Sequence, residues 1–310
     1  MTKKVAVLMG GCSAERGVSL SSGKNVLKAL ADAGYNAFSL DLSHDLRPFV
    51  ETLVKERPDV VFNALHGQYG EDGCVQGVLD LMQIPYTHSG RMASALAMNK
   101  IMAKKLYRMA GLPVAVDKIV TKEDILSGNV LPHPFVLKPV CNGSSVGVYI
   151  FRDNDGKKPF EGEKYPYADD EEIMAEEYIE GRELTVAVMS GKALGVLEII
   201  PHEKFYNYRA KYSEGGAQHV IPANLPPEDY TKVIRIAEEA DKVLGCRGIS
   251  RSDIRYDDTQ PGRKPRFAIL ETNTQPGMTS LSLVPEIARY AGFSYKDLVV
   301  WMVENARCGE

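Results

Sequence analysis

The stretch that decides the fold reads Leu270-Glu271-Thr272-Asn273-Thr274-Gln275-Pro276-Gly277. Because side chains alternate between the two faces of a strand, Glu271 and Asn273 are predicted to point the same way. Residues 248–256 also alternate apolar and polar side chains, and a segment rich in turn-forming residues follows them. The two segments together predict a hairpin that carries Asp253 on the strand beside Glu271.

Three oxygen-bearing side chains of this hairpin, Asp253, Glu271 and Asn273, are therefore expected to meet at one point. Carboxylate and amide oxygens are ligands that Mg²⁺ accepts while it bridges substrate phosphates. A solvated polar face would explain an isolated acidic pair better. The adjoining sequence Pro276-Gly277-Met278-Thr279-Ser280 favours the metal site instead.

A second signal is Lys138, which interrupts an apolar strand predicted over residues 134–140. The turn after it is Asn142-Gly143-Ser144-Ser145-Val146-Gly147, and a second apolar run, 146–151, completes an antiparallel pair. A buried charge is costly without a partner, and the N–H groups and hydroxyls of such a turn can hold phosphate oxygens. A phosphate would satisfy both features, although a Gly-Ser-Ser turn is often only a hairpin connection.

A third signal is the acidic segment Glu176-Glu177-Tyr178-Ile179-Glu180-Gly181-Arg182-Glu183, which joins a predicted strand to a turn. It falls at a predicted domain boundary, and clefts between domains are common ligand sites. One carboxylate there could hold ribose hydroxyls. An exposed acidic turn is the plainer interpretation of the same residues.

Alternating strands and helices precede these segments. Strands are predicted at Val5–Met9, Val60–Phe62 and Ile84–Thr87, with helical patterns over 26–30 and 75–82 between them. Such alternation predicts an α/β unit with a parallel sheet, spanning residues 1–96. The fold class is therefore α/β, becoming α+β in the C-terminal part.

Two further units are predicted. The central unit, residues 97–180, begins with one helix over 96–109 and includes an exposed polar loop over 152–170. The C-terminal unit, residues 181–310, contains the hairpin described above. Within it, residues 202–222 hold three tyrosines and show no periodicity, which predicts a lid loop.

The composition excludes several classes of function. A net charge of −4 and a pI near 6.0 provide no basic surface for nucleic acid. Five scattered cysteines without CxxC spacing favour a reducing compartment. Neither a membrane span nor a signal peptide is predicted, so we expect a cytoplasmic enzyme without a membrane partner.

Taken together, these segments resemble the ATP-grasp superfamily and, within it, the D-alanine–D-alanine ligase family. The resemblance covers essentially the whole chain, and the motifs that carry it are Gly10–Glu15, Leu65–Gly67, Gly70–Gly73, Lys138–Pro139, Gly143–Gly147, Tyr206–Tyr208, Lys211–Tyr212, Arg251–Asp253 and Glu271–Leu283. It implies a three-domain ligase that uses ATP and two Mg²⁺ ions, with Mn²⁺ as a substitute. The implied reaction joins two D-alanine molecules through a D-alanyl phosphate and supplies a peptidoglycan precursor.

The resemblance also implies roles for individual residues. Those at the nucleotide would be Lys100, Lys138 and Ser145 for the phosphates and Glu176, Tyr178, Ile179 and Glu183 for adenine and ribose. The metal ligands would be Asp253, Glu271 and Asn273.

For the amino acids, Glu15 would receive the ammonium of the first D-alanine, with His66 near its carboxyl end. Ser144 and Tyr212 would complete a hydrogen-bonded group with Glu15. The second amino acid or the transferring phosphate would be positioned by Lys211, Ser282 and Leu283, and the oxyanion would be stabilised by Arg251 and the N–H of Gly277.

Alternatives stay open at this point. His66 and Arg251, taken singly, are more often an ordinary turn histidine and a salt-bridged strand residue. In the family, a tyrosine at the position of Tyr212 goes with an amine as the second substrate, which favours the dipeptide as product. Asn142, Arg209 and Leu281 depart from the family pattern. D-serine or D-lactate as acceptor is one alternative, and a non-catalytic nucleotide-binding regulator is another. The sequence also leaves a homodimer open.

Overall fold

The computed structural model describes residues 2–152, 157–202 and 216–309. The N-terminal part contains β1 (Lys4–Met9), α1 (Arg16–Asp32), β2 (Asn36–Asp41), α2 (Arg47–Glu56), β3 (Val60–Asn63) and α3 (Cys74–Leu81). The strands pair in parallel in the order β2-β1-β3, which confirms the predicted parallel sheet. The strand predicted at Ile84–Thr87 is wrong, because only Tyr86 forms isolated bridges there, to Val61 and Arg307.

The single helix predicted over 96–109 is also wrong, because the chain forms α4 (Arg91–Met98) and α5 (Lys100–Met109). Asn99 between them has extended backbone angles, φ −85° and ψ 98°. Its side chain accepts a hydrogen bond from the N–H of Met102, at 3.0 Å, and thereby caps α5. This break places Lys100 at the first position of a new helix, and its N–H donates to the carbonyl of Val140.

The central sheet is antiparallel and has the strand order β4-β7-β5-β6. Its elements are β4 (Asp117–Val120), α6 (Lys122–Ser127), β5 (Phe135–Pro139), β6 (Tyr149–Phe151) and β7 (Ile173–Glu177). The predicted pairing around the Gly/Ser turn is confirmed. The exposed loop predicted at 152–170 is wrong at Phe160 and Tyr167, whose rings are buried in the core of this sheet.

The C-terminal sheet has the order β10-β9-β8-β11-β12 and is antiparallel throughout. Its elements are β8 (Arg182–Met189), β9 (Lys192–Pro201), β10 (Ala217–Val220), α7 (Pro227–Leu244), β11 (Ile249–Asp257) and β12 (Arg266–Asn273). The predicted hairpin is confirmed as β11 and β12. Of the predicted lid, residues 217–220 form the edge strand β10, and residues 203–215 lie outside the described part of the chain.

Two C-terminal helices, α8 (Leu283–Tyr290) and α9 (Tyr295–Glu304), pack back on the first sheet. Val284, Leu298 and Met302 share one buried cluster with Val5 and Val60. The end of the chain therefore holds the N-terminal sheet against the C-terminal sheet, which brings residues distant in sequence to one cleft. No helix in the described ranges is both long enough and apolar enough to cross a membrane.

Candidate functional site

Two adjoining cavities lie where the three sheets meet. Predicted site residues that line the first cavity alone are Glu15, His66, Arg251, Asn273, Gly277, Ser282 and Leu283. Those that line the second cavity alone are Lys138, Ser145, Glu176, Tyr178, Ile179 and Glu183. Residues that line both cavities, and so form a shared wall, are the predicted Lys100, Ser144, Asp253 and Glu271 together with Asn142 and Gly143. Lys211 and Tyr212 lie outside the described residues.

The hairpin supplies the acidic side chains of the shared wall. Asp253 stands directly opposite Glu271 in the register of β11 and β12, and Arg251 stands opposite Asn273. The side chains at these positions therefore face the same side of the sheet, as the alternation predicted. The Nζ of Lys100 reaches to 3.5 Å from Oε2 of Glu271. A lysine from the start of a helix thus meets the acidic face of the hairpin.

The hairpin acids have defined partners. Asp253 Oδ1 accepts hydrogen bonds from the hydroxyl of Thr185 at 2.7 Å and from Nε of Arg251 at 3.0 Å, while Nη2 of Arg251 donates to Oδ2 at 2.9 Å. Asn273 Oδ1 accepts from the N–H of Gln275 at 2.7 Å. Within the described ranges, no group of three or more His, Cys, Asp and Glu side chains could hold a metal ion. The predicted set consists of two acids and one amide.

The Gly/Ser turn is strained where it touches both cavities. Ser144 and Ser145 have φ values of 53° and 58°, a conformation that costs energy in residues other than glycine. The hydroxyl of Ser144 donates to Oε1 of Glu15, and Nζ of Lys100 donates to the carbonyl of Asn142 at 2.6 Å. The predicted contact between Glu15 and Ser144 is therefore present, and the turn is tied to both flanking elements.

His66 sits in a chain of hydrogen bonds whose direction can be worked out. The N–H of Met278 donates to the hydroxyl oxygen of Ser22 at 3.2 Å, and that hydroxyl lies 3.2 Å from Nε2 of His66. Nδ1 of His66 lies 3.1 Å from the carboxylate of Glu71, which can only accept. Nδ1 therefore carries the proton in the neutral ring, and Ser22 donates to Nε2. The sequence argument assigned no role to Glu71, although its Gly70–Gly73 motif was recognised.

The second cavity has a buried charged floor. Nζ of Lys138 donates to Oε2 of Glu176 at 2.6 Å, and Nζ of Lys104 donates to Oε1 of the same carboxylate. Burial opposes ionisation of Glu176, but the two lysines outweigh it and lower the pKa of the carboxyl. Lys104 was missed by sequence reasoning. Its spacing of four from Lys100 on one helix was the available signal.

The segment that joins the central and C-terminal sheets is held by Arg255, a second residue that was missed. Nε of Arg255 donates to the carbonyl of Ile179 at 3.0 Å, and Nη2 donates to that of Gly181 at 2.9 Å. Its Nη1 lies 3.4 Å from Oε2 of Glu183. Because Arg255 stands two residues after Asp253, strand alternation would have placed it on the cavity face.

The turn after β12 approaches the first cavity through backbone. A Cβ at Gly277 would lie 2.7 Å from Oγ of Ser282, so a larger residue would displace this turn. The hydroxyl of Ser282 accepts from the N–H of Thr279 at 2.9 Å. The amide of Gln275 accepts from Asn63 at 2.6 Å and donates to the carbonyl of Leu65, which locks the turn to the N-terminal sheet.

Comparisons with known proteins agree on one family. A family model described as D-ala D-ala ligase C-terminus matches residues 106–304, and one described as D-ala D-ala ligase N-terminus matches residues 43–89. A relative from Paramagnetospirillum magneticum named D-alanine–D-alanine ligase is 54% identical, with 99% of this chain and 100% of the relative covered. One of the same name from Rhodospirillum rubrum is 48% identical, with 99% of each covered.

A solved structure gives the same answer. The crystal structure of the D-alanine–D-alanine ligase from Bacillus anthracis complexed with ATP superposes with a TM-score of 0.78. The two chains are 29% identical in sequence, and the match covers 98% of this chain and 97% of the other.

Proposed function

Because this chain belongs to the D-alanine–D-alanine ligase family, we propose that it uses ATP to join two D-alanine molecules into D-alanyl-D-alanine. Membership confirms the family resemblance that the sequence motifs indicated, and with it the predicted ATP-grasp fold class. The product supplies the peptidoglycan precursor. The observation that carries this proposal is the shared wall, because it lets the terminal phosphate of a nucleotide in the second cavity face a carboxylate in the first.

In the first step, the carboxylate of one D-alanine attacks the terminal phosphate and forms D-alanyl phosphate with release of ADP. Catalysis of phosphoryl transfer depends on positioning and on charge stabilisation, which we assign to Lys100 and Lys138. Asp253, Glu271 and Asn273 provide two carboxylates and an amide oxygen, a donor set that fits two Mg²⁺ ions, or Mn²⁺ in their place. Such ions would neutralise charge on the phosphates.

Binding of the nucleotide is assigned to the rest of the second cavity. We propose that Ser145 and the strained turn hold phosphate oxygens, because backbone N–H groups in such turns make anion-binding concavities. The backbone at Tyr178 and Ile179 would hold the base, and Glu183 the ribose. Glu176 was expected to contact the base or the ribose. Its hydrogen bonds from Lys138 and Lys104 support a second role, which is to hold Lys138 in place.

In the second step, the amine of another D-alanine attacks the acyl phosphate and phosphate leaves. Glu15, held by Ser144, would orient the ammonium of the first D-alanine, with His66 near its carboxyl end. Arg251 and the N–H of Gly277 would stabilise the oxyanion. Holding both reactants close together in the reactive orientation can lower the activation barrier by up to about 7–11 kcal/mol. Tyr212 is proposed to join Ser144 and Glu15 in one hydrogen-bonded group, and Lys211, Ser282 and Leu283 are proposed to position the second amino acid or the transferring phosphate.

The test is direct. Purified protein with ATP, Mg²⁺ and D-alanine should release phosphate and yield a product with the mass of D-alanyl-D-alanine. The same assay with D-serine or D-lactate as acceptor distinguishes the alternative ligases. ATP binding without any D-alanine-dependent hydrolysis would contradict the proposal and favour a nucleotide-binding regulator.

Two properties of the whole molecule remain proposals. We propose that the enzyme works in the cytoplasm, where ATP is supplied. We also propose a homodimer, supported by Leu81 on α3 and Met92 on α4, which are 88% and 55% exposed on helices in contact with each other. Light scattering of the purified protein would measure the oligomeric state, and a monomer mass would contradict the dimer.

A further inference from the structure

The ammonium group of Lys104 lies in the interior of the protein. The residue has no solvent-exposed surface, although it is on α5 between the exposed residues Met102 and Lys105. Its Nζ binds Oε1 of Glu176 and lies 3.1 Å from Oδ1 of Asp117. Even a paired ammonium in the interior is often no more stabilising than an apolar side chain of similar size, so stability alone does not explain this arrangement.

Lys104 belongs to a group of five charged side chains behind the second cavity. Three are cations, Lys104, Lys138 and Arg108, and two are anions, Glu176 and Asp117. Three positive charges against two negative ones leave a net charge of +1. Lys138 and Glu176 line the cavity, whereas Lys104 does not. Lys138 is therefore the one cation of these five side chains that lines the cavity.

Among these five side chains, the carboxylate of Glu176 is shared between two ammonium groups. Glu176 gives Oε1 to Lys104 and Oε2 to Lys138, so the carboxylate cannot turn and its charge is divided. If Lys104 were absent, Glu176 would pair with Lys138 alone. Lys138 would then be neutralised more completely and drawn back towards its own strand pair, β5 and β7.

We propose that Lys104 is a positioning residue for nucleotide binding, which acts by sharing Glu176 so that Lys138 keeps positive charge and a fixed direction towards the phosphates. This inference rests on the proposed function, in which the second cavity holds ATP. Lys104 itself contacts neither substrate. Asp117 opposes it, because Asp117 competes with Glu176 for the same ammonium.

The competition gives a test in which one variant should weaken binding and the other should not. Lys104→Met should weaken binding of the non-hydrolysable analogue AMP-PNP with Mg²⁺ by about tenfold, measured by calorimetry on the full-length chain. Asp117→Asn should leave that affinity unchanged or raise it, since Lys104 then serves Glu176 alone. Lys104→Arg, which keeps the charge, should recover most of the affinity. Lys105→Met removes the exposed neighbouring lysine and is the matched control.

A purely structural role predicts a different pattern. In that case Lys104→Met and Asp117→Asn would both weaken AMP-PNP binding and would raise the KM for D-alanine as well. Unchanged AMP-PNP affinity in Lys104→Met would also overturn the inference while leaving the ligase assignment intact. If Lys104→Met does not fold, weakened binding in Asp117→Asn would still contradict it. A wild-type chain that does not bind AMP-PNP would refute the proposed function itself.

Discussion

Outside their shared wall, the two cavities are built from different parts of the chain. The charged floor of the second cavity comes from one sheet and the helix against it, where Lys138 and Glu176 lie on the neighbouring strands β5 and β7. The contacts of the first cavity join distant segments. Glu15 and Ser144 are 129 positions apart, and Asn63 and Gln275 are 212 apart.

This difference suggests how binding of each substrate depends on the fold. The second cavity is lined by the central and C-terminal sheets and by no residue of the N-terminal sheet, so it should survive changes that loosen the N-terminal sheet. The first cavity exists only when the N-terminal sheet, the Gly/Ser turn and the turn after β12 are assembled together. Substitutions in the first cavity should therefore affect D-alanine and turnover, and those in the second should affect ATP.

The largest effect is expected for Arg251→Ala in the first cavity. Turnover should fall by about 10²–10³, as for loss of one oxyanion donor, while affinity for AMP-PNP stays nearly unchanged. Steady-state kinetics with saturating ATP and D-alanine measure it, and the exposed Arg235→Ala on α7 is the matched control. Because Arg251 also binds Asp253, an equal loss of nucleotide affinity would show that the two cavities are not separable at this residue.

The adjacent serines of the strained turn offer the sharpest comparison. Ser144 lines both cavities and bonds Glu15, whereas Ser145 lines only the second. Ser144→Ala should raise the KM for the first D-alanine by about 10–100-fold, the usual cost of a hydrogen bond to a charged group. Ser145→Ala should instead raise the KM for ATP.

A further variant separates the lost hydroxyl from backbone strain. Ser144→Gly also removes the hydroxyl but relieves the positive φ of 53°. Equal KM values for D-alanine in the Ala and Gly variants would assign the effect to the hydroxyl. Near-normal kinetics in both variants would refute the assignment of Ser144 to the Glu15 group.

A substitution in the shared wall should change the Mg²⁺ dependence of activity. Glu271→Gln removes one charge from the proposed metal ligands and leaves the side chain almost the same size. The Mg²⁺ concentration needed for half-maximal activity should rise by about tenfold, because divalent-ion affinity depends on the number of charged ligands. A titration that superposes on that of the wild type would remove Glu271 from the ligand set.

Strand alternation accounts for what the sequence predicted well. It placed Asp253, Glu271 and Asn273 on one face, and the apolar run around Lys138 marked the strand beside the turn. These features are local, with a period of two residues. The sequence could not locate the break at Asn99, because both flanking segments have helical patterns and only the cap geometry separates them.

Most of the features that the sequence did not reveal depend on packing against other parts of the chain. Lys104 looks like part of a solvated helix face, since Lys100 and Lys105 surround it with charge, and only packing against β7 shows that it is buried. Arg255 likewise gains its role from partners far along the chain, Ile179, Gly181 and Glu183. The burial of Phe160 and Tyr167 within a polar segment was hidden for the same reason. Glu71 differs, because its partner His66 is only five positions away and lies in the preceding motif.

The smallest effect is expected for Arg255→Met in the second cavity. The variant removes two donors to the carbonyls of Ile179 and Gly181 and a partner of Glu183, while keeping an unbranched side chain. Because these bonds position the segment and do not themselves bind the nucleotide, only about 0.6–1.4 kcal/mol should be lost from ATP binding, so the KM for ATP should rise by about threefold to tenfold. The KM for D-alanine and turnover at saturating ATP should not change, because Arg255, Ile179 and Glu183 line only the second cavity. If the KM for D-alanine rises together with the KM for ATP, the segment between the central and C-terminal sheets affects binding in both cavities. The two binding functions would then be coupled, although the cavities differ in most of their lining.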